Sequence, residues 1–317
     1  MVNLFIANTD NDWFDFLSSQ LDVPEANFWQ PSGKGFHAIR EGEILAFRLK
    51  SPRNKIGGFG ILGSSSVYPL QIAWETFGPL NGAASYAALR DAIAPYRPGE
   101  LVGPTTNIGC RILVEPVFFP PDLWIELPPS WAPNIMGGKR FSTEEEEGRD
   151  LWYRLQETAQ ILRSSLGVPG ILTPAARFGK PTLITPRLGQ RAFRFAVTEA
   201  YDRQCAISDG KVLPALDAAH IRPYADEGEH VTSNGILLRK DIHSVLDAGY
   251  VTIDTNYQFI VSNKVKEIFN NGNEYLRLHG KRIRLPKDKK DWPHPDFLRW
   301  HNKTRFEVVD KAPAVRR

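Results

Sequence analysis

The chain has 317 residues and a net charge of +3, with 42% hydrophobic and 24% charged residues, proportions typical of a soluble globular protein long enough for two domains. No apolar run reaches the roughly 18 residues of a membrane span, and the first residues lack the basic start and apolar core of a signal peptide, so we expect a cytoplasmic protein without a membrane segment. Its two cysteines, Cys110 and Cys205, fit a reducing compartment and exclude a four-cysteine zinc site within one chain.

Residues 1–140 have the pattern of an α+β domain rich in strands. YAALRDAIAPY (86–96) has helical spacing and is predicted to end as a helix at Pro95. Apolar runs separated by glycines and prolines predict strands at EILAFRLK (43–50), IGGFGIL (56–62), CRILVEPVFF (110–119) and LWIELP (123–128).

The character of the chain changes after residue 140. A Ser-Thr pair followed by acidic residues predicts a helix over 142–167. Residues 167–190 contain four prolines and four glycines, a composition typical of a linker. We therefore predict that residues 141–190 connect the first domain to a second domain, 191–317, which opens with a helix over 192–204.

The second domain contains the stretch DAAHIRPYADEGEHVTSNGILLRKDIHSVLDAG (217–249), with three polar residues of interest: His220, Asn234 and His243. Hydrolysis of a phosphodiester requires a base that accepts a proton near neutral pH, for which a neutral histidine is suited, and a divalent metal most readily stabilises the developing charge. An asparagine can hold a backbone carbonyl and fix a loop. The pattern predicts a strand ending at His220, a second strand at GILLR, and a short helix with Asp241 as its N-cap and His243 in its first turn.

These residues resemble the HNH motif of ββα-metal nucleases. CAISD (205–209), LDAAHI (216–221), NGILLRKDIH (234–243) and VLDAGYVTID (245–254) have the order and spacing of a bacterial HNH subfamily found in predicted restriction endonucleases. The resemblance implies catalytic roles for His220 as general base, Asn234 as loop-orienting residue and His243 as metal ligand. It implies Mg²⁺ or Mn²⁺ as the cofactor, with Zn²⁺ or Ni²⁺ also compatible with histidine ligands. Cleavage of both strands by a single-site nuclease implies a homodimer.

The sequence does not decide which carboxylate would bind the expected metal. Many HNH enzymes have an aspartate just before the first histidine, where this chain has Ala219. Asp217 is a candidate metal ligand, although strand alternation would direct it away from His220 unless a bulge intervenes. Asp247 is an alternative ligand or a residue of the turn before a glycine. His230 is a rival ligand, but its acidic loop favours surface exposure.

The segment NFWQPSGKGFHAIREGEILAFRLKSPRNKIGGFGIL (27–62) resembles the opening of PUA-like domains of the EVE and ASCH type. These are small β-barrels that bind nucleic acids, and several accept a flipped modified base. The resemblance implies that residues 1–140 form a PUA-like barrel that reads modified DNA, unless its aromatic residues serve only as a core. Stacking and base-edge contacts are the chemistry such a pocket needs. The candidates are Trp29, Phe36, Trp74 and Phe77 for stacking, Ser32, Asn81 and Asn107 for the base edge, and Lys34, Arg53 and Lys55 for phosphates.

Charge is unevenly distributed along the chain. Residues 191–317 carry 22 Lys and Arg against 17 Asp and Glu, whereas residues 1–190 carry 17 against 19. The segment KRIRLPKDKK (281–290) holds six basic residues and one acid. It is either a solvated loop or a surface for the DNA backbone. The candidate phosphate contacts are Lys281, Arg282, Arg284 and Lys287.

The sequence thus predicts an α+β protein with an N-terminal PUA-like β-barrel, a helical linker and a C-terminal ββα-metal HNH domain. The expected activity is that of a modification-dependent, type IV-like restriction endonuclease acting on double-stranded DNA that carries modified bases, modified cytosine among them. Two alternatives stay open. In the first, the chain is an HNH effector of phage defence that is triggered by a small ligand or a protein. In the second, it is a DNA-binding protein with a decayed nuclease unit.

Overall fold

The computed structural model describes residues 2–166 and 188–311, which divide into two compact units, Met1–Ala192 and Phe193–Arg317. Most of the predicted proline- and glycine-rich linker, residues 167–187, lies outside the described residues. No helix among the described residues combines the length and the apolar character needed to cross a membrane.

The first unit is built around a six-stranded sheet with the strand order β2-β5-β4-β3-β1-β6. Strands β1 and β3 run parallel, and all the other neighbouring pairs are antiparallel. The strands are β1 (Asn3–Thr9), β2 (Glu25–Asn27), β3 (Ile44–Leu49), β4 (Ile56–Pro69), β5 (Asn107–Phe118) and β6 (Gly138–Ser142). Over residues 2–166 and 188–192, β2 and β6 form two separate edges, so the closed barrel that we expected is not found and the sheet is open.

Helices cover both faces of this sheet. Helix α1 (Asn11–Ser18) begins after Asp10, whose side chain accepts a hydrogen bond from the Asp12 N–H, and it buries Trp13 and Phe14 against one face. Helix α4 (Glu146–Leu166) packs its buried residues Leu151, Trp152 and Leu155 against the other. Alternate residues of β1 point to the two faces, which gives the unit two apolar clusters. The predicted 142–167 helix is therefore part of the core of the first unit.

The segment 123–128, predicted as a strand, is not one. A 3₁₀ turn over Pro121–Leu123 precedes it, and only Ile125 forms an isolated bridge, with Ile56. Prolines on both sides of this segment lack the N–H that a ladder requires. The other first-unit helices are α2 (Leu70–Phe77) and α3 (Tyr86–Ile93), the latter followed by a 3₁₀ turn that contains Pro95.

The second unit contains two small hairpins surrounded by short helices. Helix α5 (Gln190–Ala200) precedes the first hairpin, β7 (Leu216–His220) with β8 (Gly235–Arg239), and helix α6 (Lys240–Asp247) follows it. The later elements are β9 (Val251–Ile253), β10 (Phe259–Val261), α7 (Lys264–Phe269), α8 (Asn273–Leu276), α9 (Pro295–His301) and α10 (Glu307–Asp310).

Cys205 belongs to the core of this second unit. It is fully buried, and its Sγ accepts hydrogen bonds from the backbone N–H groups of Ser208 (3.5 Å) and Arg239 (3.4 Å). These contacts tie the segment before β7 to the end of β8. The thiol therefore packs in the core as a small buried group.

Candidate active site

The hairpin β7–β8 and helix α6 place the three polar residues of the sequence motif. His220 is the last residue of β7 and pairs with Gly235, so Asn234 lies directly beside the strand end that carries His220. Helix α6 follows β8 without a loop and places His243 in its first half. Asp241, predicted as the N-cap, instead lies in the first turn of the helix and pairs with Arg239, because the helix begins two residues earlier, at Lys240.

Asn234 closes the loop that joins the two strands. Its side chain is fully buried, and its Nδ2 donates hydrogen bonds to the carbonyl oxygens of Arg222 and Glu229, both at 2.9 Å. Its Oδ1 accepts a hydrogen bond from the Arg222 N–H, also at 2.9 Å. The asparagine therefore fixes the backbone immediately after His220, which is the position that the sequence assigns to it.

His220 is held from two sides. Its ring stacks on Phe193 with centroids 3.8 Å apart and planes inclined by 12°. Its Nε2 lies 3.0 Å from Nδ1 of His230, whereas its Nδ1 has no hydrogen-bond partner among residues 2–166 and 188–311. Burial, with the nearby His230 and His243, lowers the pKa of His220 to about 4. The imidazole is therefore neutral near pH 7 and retains one free ring nitrogen.

The surroundings of His230 differ from those predicted from the sequence. We expected it on the surface, but it is half-buried, hydrogen-bonded to His220 and stacked on Tyr224 with centroids 5.0 Å apart. Of the acidic residues around it, Glu227 and Glu229 are exposed and Asp226 is partly buried, and their charges indicated a surface loop. Nothing in the local pattern indicates that this one side chain turns inward.

His243 lies between two carboxylates. Its Nδ1 is 3.1 Å from Oδ2 of Asp217, and its Nε2 is 3.3 Å from Oδ2 of Asp247. No bulge interrupts the pairing of β7 and β8, and Asp217 nevertheless reaches the site through His243. Asp247 comes four residues after His243 on α6, a spacing that brings helix side chains together.

The pKa values show that this position favours a positive charge. Burial alone would lower the pKa of His243, but the hydrogen bond to Asp217 and the Asp247 carboxylate raise it overall. Burial alone would raise the pKa of Asp217, but the hydrogen bond from His243 and the nearby Arg194 lower it overall. A proton on His243 or a metal cation would satisfy the same pair of carboxylates.

One cavity of about 450 Å³ joins these groups. His220, His243 and Asp247 lie on its wall together with Arg305, an exposed cation whose guanidinium is 3.0 Å from Asp226. The cavity thus brings a neutral imidazole, an imidazole with two carboxylates, and an arginine to one opening. These are the groups that accept a proton and stabilise an anion at a phosphate.

The site offers few protein donors for a divalent ion. No group of three or more His, Cys, Asp or Glu side chains placed to hold a metal occurs within residues 2–166 and 188–311. The pair of His243 Nε2 and Asp247 Oδ2, 3.3 Å apart, has nearly the roughly 3 Å separation of two adjacent ligands on an octahedral ion. Two protein donors suit Mg²⁺, which keeps several waters. Asp217, which was predicted as a metal ligand, contacts the other ring nitrogen of His243, Nδ1, at 3.1 Å.

The basic run after residue 280 is largely engaged within the second unit. Lys281 and Arg284 both pair with Asp209, at 3.5 and 2.9 Å, and Lys287 pairs with Asp202 at 2.9 Å. Arg282 is exposed, and its side chain has no partner in the described part of the chain. Of the four predicted phosphate contacts, only Arg282 is free of a neighbouring acid.

The first unit has its own cavity, of about 540 Å³. Two of the predicted pocket residues, Trp29 and Phe36, lie on its wall, whereas Ser32 and Trp74 do not. Asn81 is fully buried, and its amide bonds to Asn27, Ala73 and Gly78, so it is not available to a ligand.

Two more predicted first-unit residues, Phe77 and Asn107, also lie off the cavity wall, Phe77 being fully buried in the core. Of the three predicted phosphate contacts, only Lys34 lies on the cavity wall. Arg53 forms an ion pair with Asp15, and Lys55 forms one with Glu126.

Residues 205–254 match the family model described as HNH endonuclease. This segment is an HNH endonuclease domain. It contains His220, Asn234 and His243, and it also contains Asp217, His230 and Asp247. Enzymes of the HNH endonuclease family cut DNA and generally require a divalent metal, and the matched segment contributes His220, His243 and Asp247 to the wall of the second-unit cavity.

Two solved structures are similar to the chain. One is a modification-dependent TagI restriction endonuclease, with 12% identity and a TM-score of 0.27, matched over 83% of this chain and 61% of its own. The other is the type IV phosphorothioation-dependent restriction endonuclease ScoMcrA, with 13% identity and a TM-score of 0.21, matched over 89% of this chain and 50% of its own. The chain thus spans between half and three fifths of these proteins. No curated protein matches the chain.

Proposed function

We propose that the chain is a modification-dependent restriction endonuclease. Its HNH domain hydrolyses DNA phosphodiester bonds, and the cavity of its first unit receives a modified base. The observation that carries the nuclease proposal is that His220, whose Nδ1 has no partner among the described residues, lines the same cavity as the His243–Asp247 pair within the matched HNH segment. Because a nuclease with one site cuts one strand at a time, the form that cleaves both strands is a homodimer.

His220 acts as the general base. Its pKa of about 4 keeps the ring neutral at pH 7, so that Nδ1 accepts the proton of the attacking water. Asn234 holds the backbone of Arg222 at 2.9 Å and so fixes the direction of the neighbouring histidine. Arg305, on the wall of the same cavity, lies where its charge can offset that of the phosphate.

His243 and Asp247 would hold the divalent ion, and Asp217 would orient the His243 ring by accepting its Nδ1–H at 3.1 Å. When bound, the ion supplies positive charge to the phosphate and to the leaving oxygen. A carboxylate and an imidazole suit Mg²⁺ or Mn²⁺, and the imidazole also tolerates Zn²⁺ or Ni²⁺.

Asp247→Asn is expected to weaken Mn²⁺ binding by at least about tenfold, because the amide removes one charged donor from the pair with His243. Isothermal titration of the DNA-free protein with Mn²⁺ measures this directly. Asp296→Asn, an exposed aspartate on α9, is the matched control and should bind Mn²⁺ as the wild type does. Equal Mn²⁺ affinity in the Asp247 variant and the wild type would contradict the assignment.

The first unit supplies the reader in this proposal. Its cavity of about 540 Å³ has aromatic walls, including Trp29 and Phe36, which suit stacking on an extruded base. The same volume suits a free small molecule, which is the alternative trigger for the nuclease. Gel shifts of the whole protein with modified and plain DNA distinguish these, since a small-molecule trigger predicts equal binding to both DNAs.

Digestion of matched DNAs tests the whole proposal. The substrates carry unmodified cytosine, 5-methylcytosine, 5-hydroxymethylcytosine, glucosylated 5-hydroxymethylcytosine or N6-methyladenine in one sequence. The proposal requires faster cutting of at least one modified DNA than of the plain DNA. Cleavage of all five at one rate would leave a nuclease without a modification reader.

A further inference from the structure

Arg111 is a buried cation on the wall of the first-unit cavity. It lies in β5 and is only 7% exposed, with its guanidinium 3.9 Å from the ring centroid of Phe36 and 5.7 Å from that of Phe28. Its Nη2 donates to Oε1 of Gln30. Within residues 2–166 and 188–311 no carboxylate pairs with it, and its Nε is buried without a partner.

Such a group is costly unless something compensates it, because burying a charge without a counter-charge is unfavourable. Burial lowers the pKa of Arg111 to about 10, which still leaves the side chain charged at neutral pH. The stacking on Phe36 and the bond to Gln30 satisfy only part of its five N–H donors.

The other charges of the cavity do not compensate Arg111. The wall contains one acid, Asp10, and its Oδ2 is already 2.9 Å from Nζ of Lys50. Lys34 adds a further positive charge to the same wall. The cavity therefore combines aromatic faces with an excess of positive charge, which favours a flat ring that carries acceptor oxygens.

We propose that Arg111 makes the first unit select a base whose substituent carries acceptor oxygens, such as a hydroxymethyl or carboxyl group, over a base that carries only a methyl group. This inference rests on the proposed reading of modified bases by the first unit. A methyl group leaves the guanidinium donors unpaired in a desolvated place, whereas an oxygen accepts from them. A hydrogen bond to a charged donor of this kind corresponds to about a 10- to 100-fold preference.

Binding measurements on the whole protein test this inference without cleavage. Short duplexes with one unmodified, 5-methyl-, 5-hydroxymethyl- or 5-carboxylcytosine are titrated by fluorescence anisotropy in the His220→Ala background, without added metal. We expect this protein to prefer the two oxygen-bearing duplexes over the methylated one by at least about tenfold. Arg111→Met, which retains an unbranched apolar chain over Phe36, is expected to remove that preference and to keep the binding of the methylated duplex.

Two further variants complete the design. Arg90→Met makes the same change at an exposed arginine of α3 and should leave the preference intact. Arg111→Lys keeps the charge but loses the planar donors, so it should keep only part of the preference; it serves as the test if the methionine variant does not fold.

The outcomes separate the inference from the function on which it rests. Equal affinity for methylated and oxygen-bearing duplexes, both above the unmodified duplex, overturns the role of Arg111 and leaves the reader in place. Equal affinity for all four duplexes overturns the reader and the role of Arg111 together.

A second inference rests on a separate observation, the 3.0 Å contact between Nε2 of His220 and Nδ1 of His230. One proton lies between these two nitrogens. If His230 donates it, the neutral His220 must carry its own proton on Nδ1 and cannot accept another there. If His220 donates it, the lone pair of Nδ1 is free at the cavity. Only the second tautomer supports the general-base role of His220, so we infer, on the basis of that proposed function, that His230 is a positioning residue that holds His220 in this tautomer.

Replacement of His230 tests this role in two ways. His230→Leu should lower kcat by about 10- to 100-fold with little change in KM, and His230→Asn, which keeps an acceptor oxygen near the position of Nδ1, should recover part of the loss. In the metal-free wild-type protein, ¹⁵N NMR should place the ring proton of His220 on Nε2, and the leucine variant should show a mixture. A proton on Nδ1 in the wild type, or an unchanged kcat in the leucine variant, overturns the assignment.

Discussion

His220→Ala is expected to slow DNA cleavage by about 10²- to 10⁴-fold, the contribution of a well-placed general base. The variant removes the one imidazole on the cavity wall that is neutral at pH 7 and has a ring nitrogen without a partner in the described part of the chain. The proposed ligands are untouched, so Mn²⁺ binding should be unchanged. Single-turnover nicking of a modified plasmid with Mn²⁺ measures the effect.

The matched control is His279→Ala. His279 is an exposed histidine of the second unit that lies off the cavity and accepts only the backbone N–H of Val261, at 3.0 Å. Its replacement should leave cleavage close to the wild-type rate. If the His220 and His279 variants cut at the same rate, the general-base assignment is wrong, whatever metal is present.

Asn234→Ala should abolish cleavage by a different route, loss of the loop that positions His220. The substitution removes three partly buried hydrogen bonds, to two carbonyl oxygens and from the Arg222 N–H. Each such bond contributes about 1 kcal/mol, so we expect the second unit to lose roughly 3 kcal/mol of stability. Hydrogen exchange should show lost protection over residues 221–234, and nicking should fall at least about 100-fold.

Asn234→Asp refines this prediction. It keeps the acceptor for the Arg222 N–H but places a carboxylate against the carbonyl oxygens of Arg222 and Glu229, so it should be as inactive as the alanine variant. Asn256→Ala, at an exposed turn, is the control and should keep both protection and activity. Wild-type cleavage by the aspartate variant would mean that the amide does not fix the loop.

The sequence predicts the HNH unit well because its contacts are local. The strand ending at His220, the strand at GILLR and the helix with His243 follow from short apolar patterns, and the side chain of Asn234 binds backbone only 5 and 12 residues away. Asp247, named from the sequence as an alternative ligand, lies beside His243 for a local reason too, since a spacing of four residues on a helix brings the two side chains together. His230 could not, because its inward turn depends on how the loop packs against Phe193 and Tyr224.

The first unit is less predictable because its contacts are distant in sequence. Individual strands follow from their apolar runs, but the parallel pairing of β1 with β3 and the open edges at β2 and β6 are set by long-range packing. The predicted pocket residues have different positions for the same reason. Trp29 and Phe36 line the cavity, whereas Asn81 is hydrogen-bonded to Asn27 in the interior of the fold. Arg111 is one of two charged residues, with Glu115, in the otherwise apolar run CRILVEPVFF, and that placement is the sequence signal that could have indicated a buried cation.

The packing of α4 against β1 and β3 decides where the first unit can be cut away from the rest of the chain. A fragment that stops at residue 140 would lack Leu151, Trp152 and Leu155, and would present the apolar side chains beneath them to water. Such a piece is prone to aggregate, and its failure to bind DNA would say nothing about DNA binding by the intact first unit. A fragment that runs through residue 166 retains the covering helix.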